Sequence, residues 1–167
     1  MTIHLVDDIP HLLVMEDQKF NVLKLNRGFM KYNLRFKVSF VASSHDALQA
    51  IQGKPFCKIN PDDFESPSIV LDPSHYTAII LENQVPPVRG KEPAPDQGVL
   101  VARKIRALEQ NNEILKTTLF SFSADTDRRK FSNPPFDHIL PKEIEMQKLV
   151  GILNDLHLEE SLKRLKL

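Results

Sequence analysis

The stretch YTAIILENQVPP (Tyr76–Pro87) decides how this chain is read. Thr77 and the apolar run Ala78-Ile79-Ile80-Leu81 lead directly into Glu82-Asn83-Gln84, and the chain then turns at Val85-Pro86-Pro87. A short apolar run closed by polar residues and prolines has the signature of a buried strand. Its end delivers one carboxylate, Glu82, to the rim of whatever sheet the strand joins.

On either side of that strand the pattern alternates. PHLLVME (residues 10–16) reads as a strand and DQKFNVLKLNRGFMKYN as a helix, with Phe20, Leu23, Phe29 and Met30 near helical spacing. RFKVSFVA (residues 35–42) alternates Phe36, Val38 and Phe40 as a second strand. SSHDALQAIQ opens on the capping residues Ser43 and Ser44 and sets Ala47, Leu48 and Ile51 on one face. After the strand at Tyr76 come a helix in DQGVLVARKIRALEQNN, with Leu100, Val101, Ile105 and Leu108 expected inside, and strands in TTLFSFS (117–123) and FDHILP (136–141). KEIEMQKLVGILNDL is a last helix, with Ile144, Met146, Leu149, Ile152 and Leu153 apolar, and the tail 158–167 adds a turn or two. Strands alternating with helices predict a parallel sheet covered on both faces, and right-handed crossovers make it doubly wound. Two proline-rich stretches interrupt the rhythm, residues 53–75 and 87–95; surface loops are expected there, ahead of the alternative of a partner-docking surface.

Composition narrows the class of function. With 22 basic and 22 acidic residues, the chain offers no net charge to recruit nucleic acid or an anionic membrane. Its apolar runs are too short to span a bilayer, and MTIHLVDDIP carries acids where a secretory signal needs bases. The single cysteine, Cys57, cannot form an internal disulfide, so a reduced cytoplasmic setting is expected, with an exposed and uninvolved thiol. The six histidines show no metal-ligand spacing on one helix and read as structural or surface residues. No glycine-rich phosphate loop and no Gly-x-Ser-x-Gly elbow is present.

The polar residues at the predicted strand ends are another matter. The first strand ends in Glu16-Asp17, the third in Glu82 and the fourth in Ser123-Ala124, and Lys142 follows the fifth. In an open parallel sheet these ends share one rim, where ligands bind. Three carboxylates there repel one another and raise their own pKa values unless a cation sits among them. Magnesium suits such oxygen ligands, and a lysine serves as a compact point charge. Single acids at strand ends are commonplace where a chain meets solvent; the ordered set is what carries information.

Taken together, these stretches resemble the receiver domain of two-component response regulators, the CheY-like superfamily. LLVMEDQKFN is similar to that family's opening strand, acid pair and downstream asparagine. AIILENQVPP resembles its phosphorylation-site strand, DQGVLVARKIR the Asp-Gly start of its third helix, LFSFSA its fourth strand with a Ser/Thr-Ala end, and DHILPKEI its fifth strand and lysine. A second acid pair in HLVDDIP (residues 4–10) is a decoy, since starting there leaves too much chain before the strand at 36–41. The resemblance implies a flavodoxin-like (βα)5 fold of five parallel strands, order 2-1-3-4-5, in three α/β/α layers. Residues 1–9 then form an N-terminal extension, residues 10–157 the domain with its two insertions, and residues 158–167 a helical tail. Pro134-Pro135 predicts a shortened or irregular fourth helix, and a partner surface there unlike the family's usual one.

The same resemblance implies roles. Glu16, Asp17, Glu82 and the carbonyl of Gln84 match the magnesium ligands, Ser123 the switch hydroxyl, Lys142 the phosphoryl-pairing lysine, and Ala124 and Ile139 their neighbours. Three departures stand out. The phosphoacceptor position is Glu82 where the family has aspartate, Ile139 replaces an aromatic ring, and Glu143 replaces a proline. Glutamate is one methylene longer, and phosphoryl transfer is sensitive to about an ångström of misplacement. The expectation is therefore a non-enzymatic pseudo-receiver with Glu82 as a fixed phosphomimic. It would act through a protein partner such as a histidine kinase, a phosphotransfer protein or a downstream effector. The alternative is a working, magnesium-dependent phosphoacceptor. A small metal hydrolase ranks below both for want of an activated nucleophile or base. The basic run Asp127–Lys130 reads as a solvated loop.

Overall fold

The computed structural model describes residues 9–73, 75–123 and 135–165. Ala124, the basic run at 127–130, the expected irregular fourth helix and nearly all of the expected N-terminal extension lie outside the described residues.

The strands are β1 (His11–Met15), β2 (Lys37–Val41), β3 (Phe56–Asn60), β4 (Asp63–Val70), β5 (Ala78–Leu81), β6 (Thr118–Ser123) and β7 (His138–Pro141). The helices are α1 (Lys19–Lys31), α2 (Ser44–Ile51), α3 (Gln97–Gln110) and α4 (Met146–Leu165). One seven-stranded sheet runs in the order β4-β3-β2-β1-β5-β6-β7. β2, β1, β5, β6 and β7 are parallel, and they are the five predicted strands in the predicted order. The expectation of five strands falls short by two. β3 and β4 form an antiparallel hairpin inside residues 53–75 and extend the sheet beyond β2.

That hairpin corrects the reading of 53–75 as a surface loop. Of its four prolines, Pro55 and Pro73 flank the hairpin and the other two suit its turn and its edge. Pro61 sits in the turn, where Asn60 Oδ1 accepts the Asp62 N–H at 3.0 Å. Pro67 lies on the outermost strand, the place in a sheet where a missing donor is tolerated. Cys57 is consequently buried rather than exposed, its N–H given to Asp46 Oδ1 at 2.9 Å. Asp46 also pairs with the α2 cap, since Ser43 Oγ accepts its N–H at 3.1 Å and donates to its Oδ2 at 2.8 Å. A buried carboxylate thus joins a helix start to the inserted strand.

Two apolar layers cover the sheet. α1 contributes Val22, Leu25 and Phe29 and α4 Leu149, Val150 and Leu153 against Leu12, Val14, Phe40, Ile80 and Phe120. On the other face α2 and α3 set Ala47, Ala50, Val101, Ala102 and Ile105 against Leu13, Met15, Ile79, Leu81 and Leu119. The alternation along β1 follows from the two-residue period of a strand. The helices differ in which face turns inward. Phe20 and Met30 are more than two-thirds exposed, because the inward stripe of α1 follows the i, i+3, i+7 spacing of Val22, Leu25 and Phe29. Leu100 likewise points outward. Residues 158–165 continue α4 without a break. Gly28 lets α1 and α4 meet, since a Cβ there would lie 2.5 Å from the Met146 side chain.

At the opposite end of the strands, Arg106 binds three segments together. Its guanidinium donates to Pro135 O, Thr117 O, Glu109 and Asp137, and those two carboxylates accept the N–H groups of Thr117 and Leu119. His11 does similar work at the start of β1, with Nε2 3.1 Å from Ser39 Oγ and its ring 4.9 Å from that of Tyr76. Burial pushes the His11 imidazole below its ordinary pKa; Asp72 opposes this, and Lys58 and Lys37 reinforce it. A depressed histidine binds fewer protons folded than unfolded, so stability falls as pH drops through the unfolded value near 6.5. Urea midpoints at pH 7.5 and pH 5 are expected to differ, and His11→Gln is expected to shrink the difference; an unchanged difference would remove His11 from this role.

Candidate functional site

Backbone pairing assembles the site. The N–H of Glu16 donates to Val41 O at 2.9 Å and that of Glu82 to Met15 O at 3.0 Å. Each ladder therefore runs one residue past the strand end, and the two carboxylates emerge side by side at the rim. β7 ends one residue before Lys142. Ser123 lies opposite Pro141 in the β6–β7 register, next to the strand that carries the lysine. Ile139 pairs with Ser121 two residues back along that register and is partly exposed.

The structure joins Glu16, Glu82 and Lys142 into one ionic cluster. Lys142 Nζ is 2.9 Å from Glu16 Oε2 and 2.7 Å from Glu82 Oε2. The Glu82 contact is an ion pair whose alignment falls short of a good hydrogen bond. Glu16 is fully buried and Glu82 nearly so. Glu16 Oε1 accepts the Gln18 N–H at 3.0 Å, and Oε2 a longer bond from Asn21 Nδ2 at 3.4 Å. Glu82 Oε1 accepts the N–H groups of Asn83 at 3.0 Å and Gln84 at 3.2 Å. Burial by itself would lower the Lys142 ammonium, but its close contacts with Glu82 and Glu16 and their charges outweigh that and hold its pKa above the usual value. The ammonium also lies 5.7 Å from the Phe122 ring centre.

Asp17 stays outside this cluster. Its Oδ1 is buried without a hydrogen-bond partner, and Oδ2 receives only a 3.5 Å contact from Gln18 Nε2. Burial pushes its carboxyl up; its own backbone N–H opposes, the Glu82 charge adds, and the Lys142 charge and a side-chain hydrogen bond with Glu16 oppose. One lysine neutralises one of three carboxylates, and the remaining strain falls on the acid that Lys142 does not contact.

The arrangement is centred on an ammonium rather than on a metal position. Among the described residues no group of three or more His, Cys, Asp or Glu side chains is placed to hold a metal ion. The oxygens that magnesium would take from Glu16 and Glu82 already face Lys142. Asp17 Oδ1, buried without a hydrogen-bond partner, is the acid oxygen that does not face Lys142.

Several supporting residues escaped the sequence reading. Asn83 caps α3 from outside the helix: its Oδ1 accepts the Val99 N–H at 3.2 Å, its Nδ2 donates to Asp96 Oδ1 at 3.3 Å, and its carbonyl accepts the Gln97 N–H at 2.9 Å. Asp96 adopts a left-handed backbone, φ 61°, to begin that turn. Gly98 presses against the site, since a Cβ there would fall 2.9 Å from the Glu82 carbonyl oxygen. The loop 86–95 leans on α2, whose Ser44 and His45 N–H groups donate to Pro86 O and Pro87 O. Ser44 Oγ donates to Gln97 Oε1 at 2.7 Å and links the starts of α2 and α3. Beyond the Asp96 and Gly98 start of the third helix, the asparagine beside Glu82 and the Ser-x-x-Asp spacing at Ser43–Asp46 are the signals of this framework in the sequence.

No protein-family model and no curated protein sequence matches the chain. Solved structures do. A response regulator receiver domain (CheY-like) from Methylobacillus flagellatus aligns with a TM-score of 0.58 at 18% identity, over 89% of this chain and 98% of the other. The signal receiver domain of an HD domain-containing protein from Pseudomonas fluorescens aligns with a TM-score of 0.65 at 14% identity over the whole of both chains. The receiver domain of a sensor histidine kinase from Pseudomonas aeruginosa, solved with magnesium coordinated in its active-site cleft, aligns at 0.59 and 16% identity over 88% and 96%.

An acid with a raised pKa weakens the folded state as pH rises through that pKa, and its contribution is fully restored below the unfolded value of 3.8. Asp17→Asn removes that charge at constant shape. It is expected to raise the melting temperature at pH 7 and to change it little at pH 3.5. An equal effect at both values, or a loss at pH 7, would contradict the assignment. The fold that arranges these residues is that of the response regulator receiver domains.

Proposed function

We propose that this chain is a pseudo-receiver, a non-enzymatic signalling module of two-component type that works by protein–protein contact in the cytoplasm. The observation that carries the reading is the state of Glu82. Both of its oxygens are engaged, one by two backbone N–H groups and the other by Lys142 at 2.7 Å. An acceptor for phosphoryl transfer needs an oxygen free to attack in line, with a cation beside it to neutralise developing charge. Here the acid is longer by a methylene, and Lys142 is already paired. The charge that phosphorylation would bring is built into the chain, and the lysine that would answer it has answered Glu82. Between Glu16 and Glu82 the lysine, rather than a metal ion, is the cation. A histidine kinase, a phosphotransfer protein or a downstream effector is the kind of protein that reads such a domain.

One observation favours a working receiver instead: the buried, partnerless Asp17 Oδ1 is an oxygen that a cation would satisfy. Intact mass after incubation with magnesium and acetyl phosphate separates the two readings. The wild-type chain is expected to gain no phosphate, and Glu82→Asp to gain one, because the shorter acid withdraws its carboxylate from Lys142. Phosphate on the wild-type chain would overturn the pseudo-receiver and install the working phosphoacceptor.

A further inference from the structure

The hairpin leaves β4 as the outermost strand on its side of the sheet. Edge strands are ordinarily short, because their free N–H and C=O groups invite another chain. β4 has eight residues, more than any other strand here. No described segment pairs with its outer side. Its surface is divided along its length. Asp62, Asp63 and Glu65 are exposed at one end. Residues 66–71 carry no charge, and there Ile69 is 72% and Leu71 64% exposed. Pro67, which has no N–H to give, stands between the two halves.

We propose that β4 is a docking edge for an extended segment of a partner protein, added as one more strand, with basic side chains opposite Asp63 and Glu65 and apolar ones opposite Ile69 and Leu71. In strand addition the backbone bonds supply affinity and the alternate side chains supply specificity. Charge selects the occupant. Among the described residues the one cation paired with the acidic end is Lys19, 3.6 Å from Glu65, and both side chains are more than half exposed. Such a pair contributes little and exchanges readily for a better one.

A second copy of this chain fits the edge badly in either direction. Antiparallel self-pairing about Pro67 sets Asp63 opposite Leu71 and Glu65 opposite Ile69, and puts two prolines without donors face to face. Parallel self-pairing sets acid against acid. Cross-strand pairs of those kinds are unfavourable. The same acids repel nucleic acid phosphates. What remains is a basic and apolar strand from another protein.

The test uses short fluorescent peptides that alternate valine with lysine in one half and valine with threonine in the other, made in both chain directions. Matched peptides carry glutamate for lysine. Anisotropy is expected to show saturable binding of one lysine peptide, about tenfold or more tighter than its glutamate counterpart. Backbone amides of residues 68–71 are expected to exchange more slowly with solvent in the complex. Ile69→Lys with Leu71→Lys, both at exposed positions, is expected to abolish binding at an unchanged melting temperature. Asp63→Lys with Glu65→Lys is expected to transfer the preference to the glutamate peptide. The proposal is overturned if neither charge type binds, if both bind equally, or if protection appears away from β4. It is also overturned if the free chain self-associates in a way that Ile69→Lys dissolves, since the occupant would then be a second copy. None of these outcomes depends on phosphorylation, so a failure here is separable from a failure of the pocket reading.

Discussion

The site depends on one ammonium held between two buried carboxylates. Glu16 and Glu82 come from adjacent parallel strands and would repel each other at the rim of a largely dry sheet. Lys142, arriving from the far side of β6, removes that conflict at 2.9 and 2.7 Å. Taking away one partner of such a buried set costs about 3–5 kcal/mol, because the charge left behind stays buried. The cluster also fixes where the β1, β5 and β7 ends stand relative to one another, and with them the first turn of α1 and the Asn83 cap on α3. Chemistry and architecture share the same atoms here.

Much of this frame was legible in the sequence because it rests on short-range periodicities. The apolar runs at Leu12–Met15 and Ala78–Leu81 are short and bounded by polar residues and prolines, which favours strands buried on both faces. The polar residue that ends each run lands on the same rim by the geometry of parallel crossovers. Glu16, Glu82 and Lys142 could therefore be brought together on paper. Which of the acids would pair could not. The choice between Asp17 and its neighbours turns on side-chain burial, and Asp17 is the acid left without a partner for its Oδ1.

The hairpin was illegible for a different reason. Proline count is a poor guide where prolines fall at a turn and on an edge, since both positions forgive a missing donor. The second strand of the hairpin is held mainly by backbone pairing to β3, which leaves little trace in an apolar pattern. Which face of α1 turns inward was equally hard to read. On a helix ringed with large apolar residues, several spacings look equally helical, and only packing against Val14 and Phe40 selects Val22, Leu25 and Phe29. Backbone-mediated features such as the Asn83 cap and the tight approach of Gly98 to Glu82 leave a single residue each as a clue.

The resulting picture is a receiver fold whose rim is set by its own charges and whose sheet has acquired a new edge. The most direct measurement of the first half of that picture is an amide NMR titration of the wild-type chain with magnesium and beryllofluoride, a stand-in for the phosphoryl group. If Glu82 holds the pocket in a fixed state, the amides of Glu82, Asn83, Gln84, Ser123 and Lys142 will not shift. A saturable shift at those residues would show a pocket that still takes a phosphoryl group, and would contradict the account.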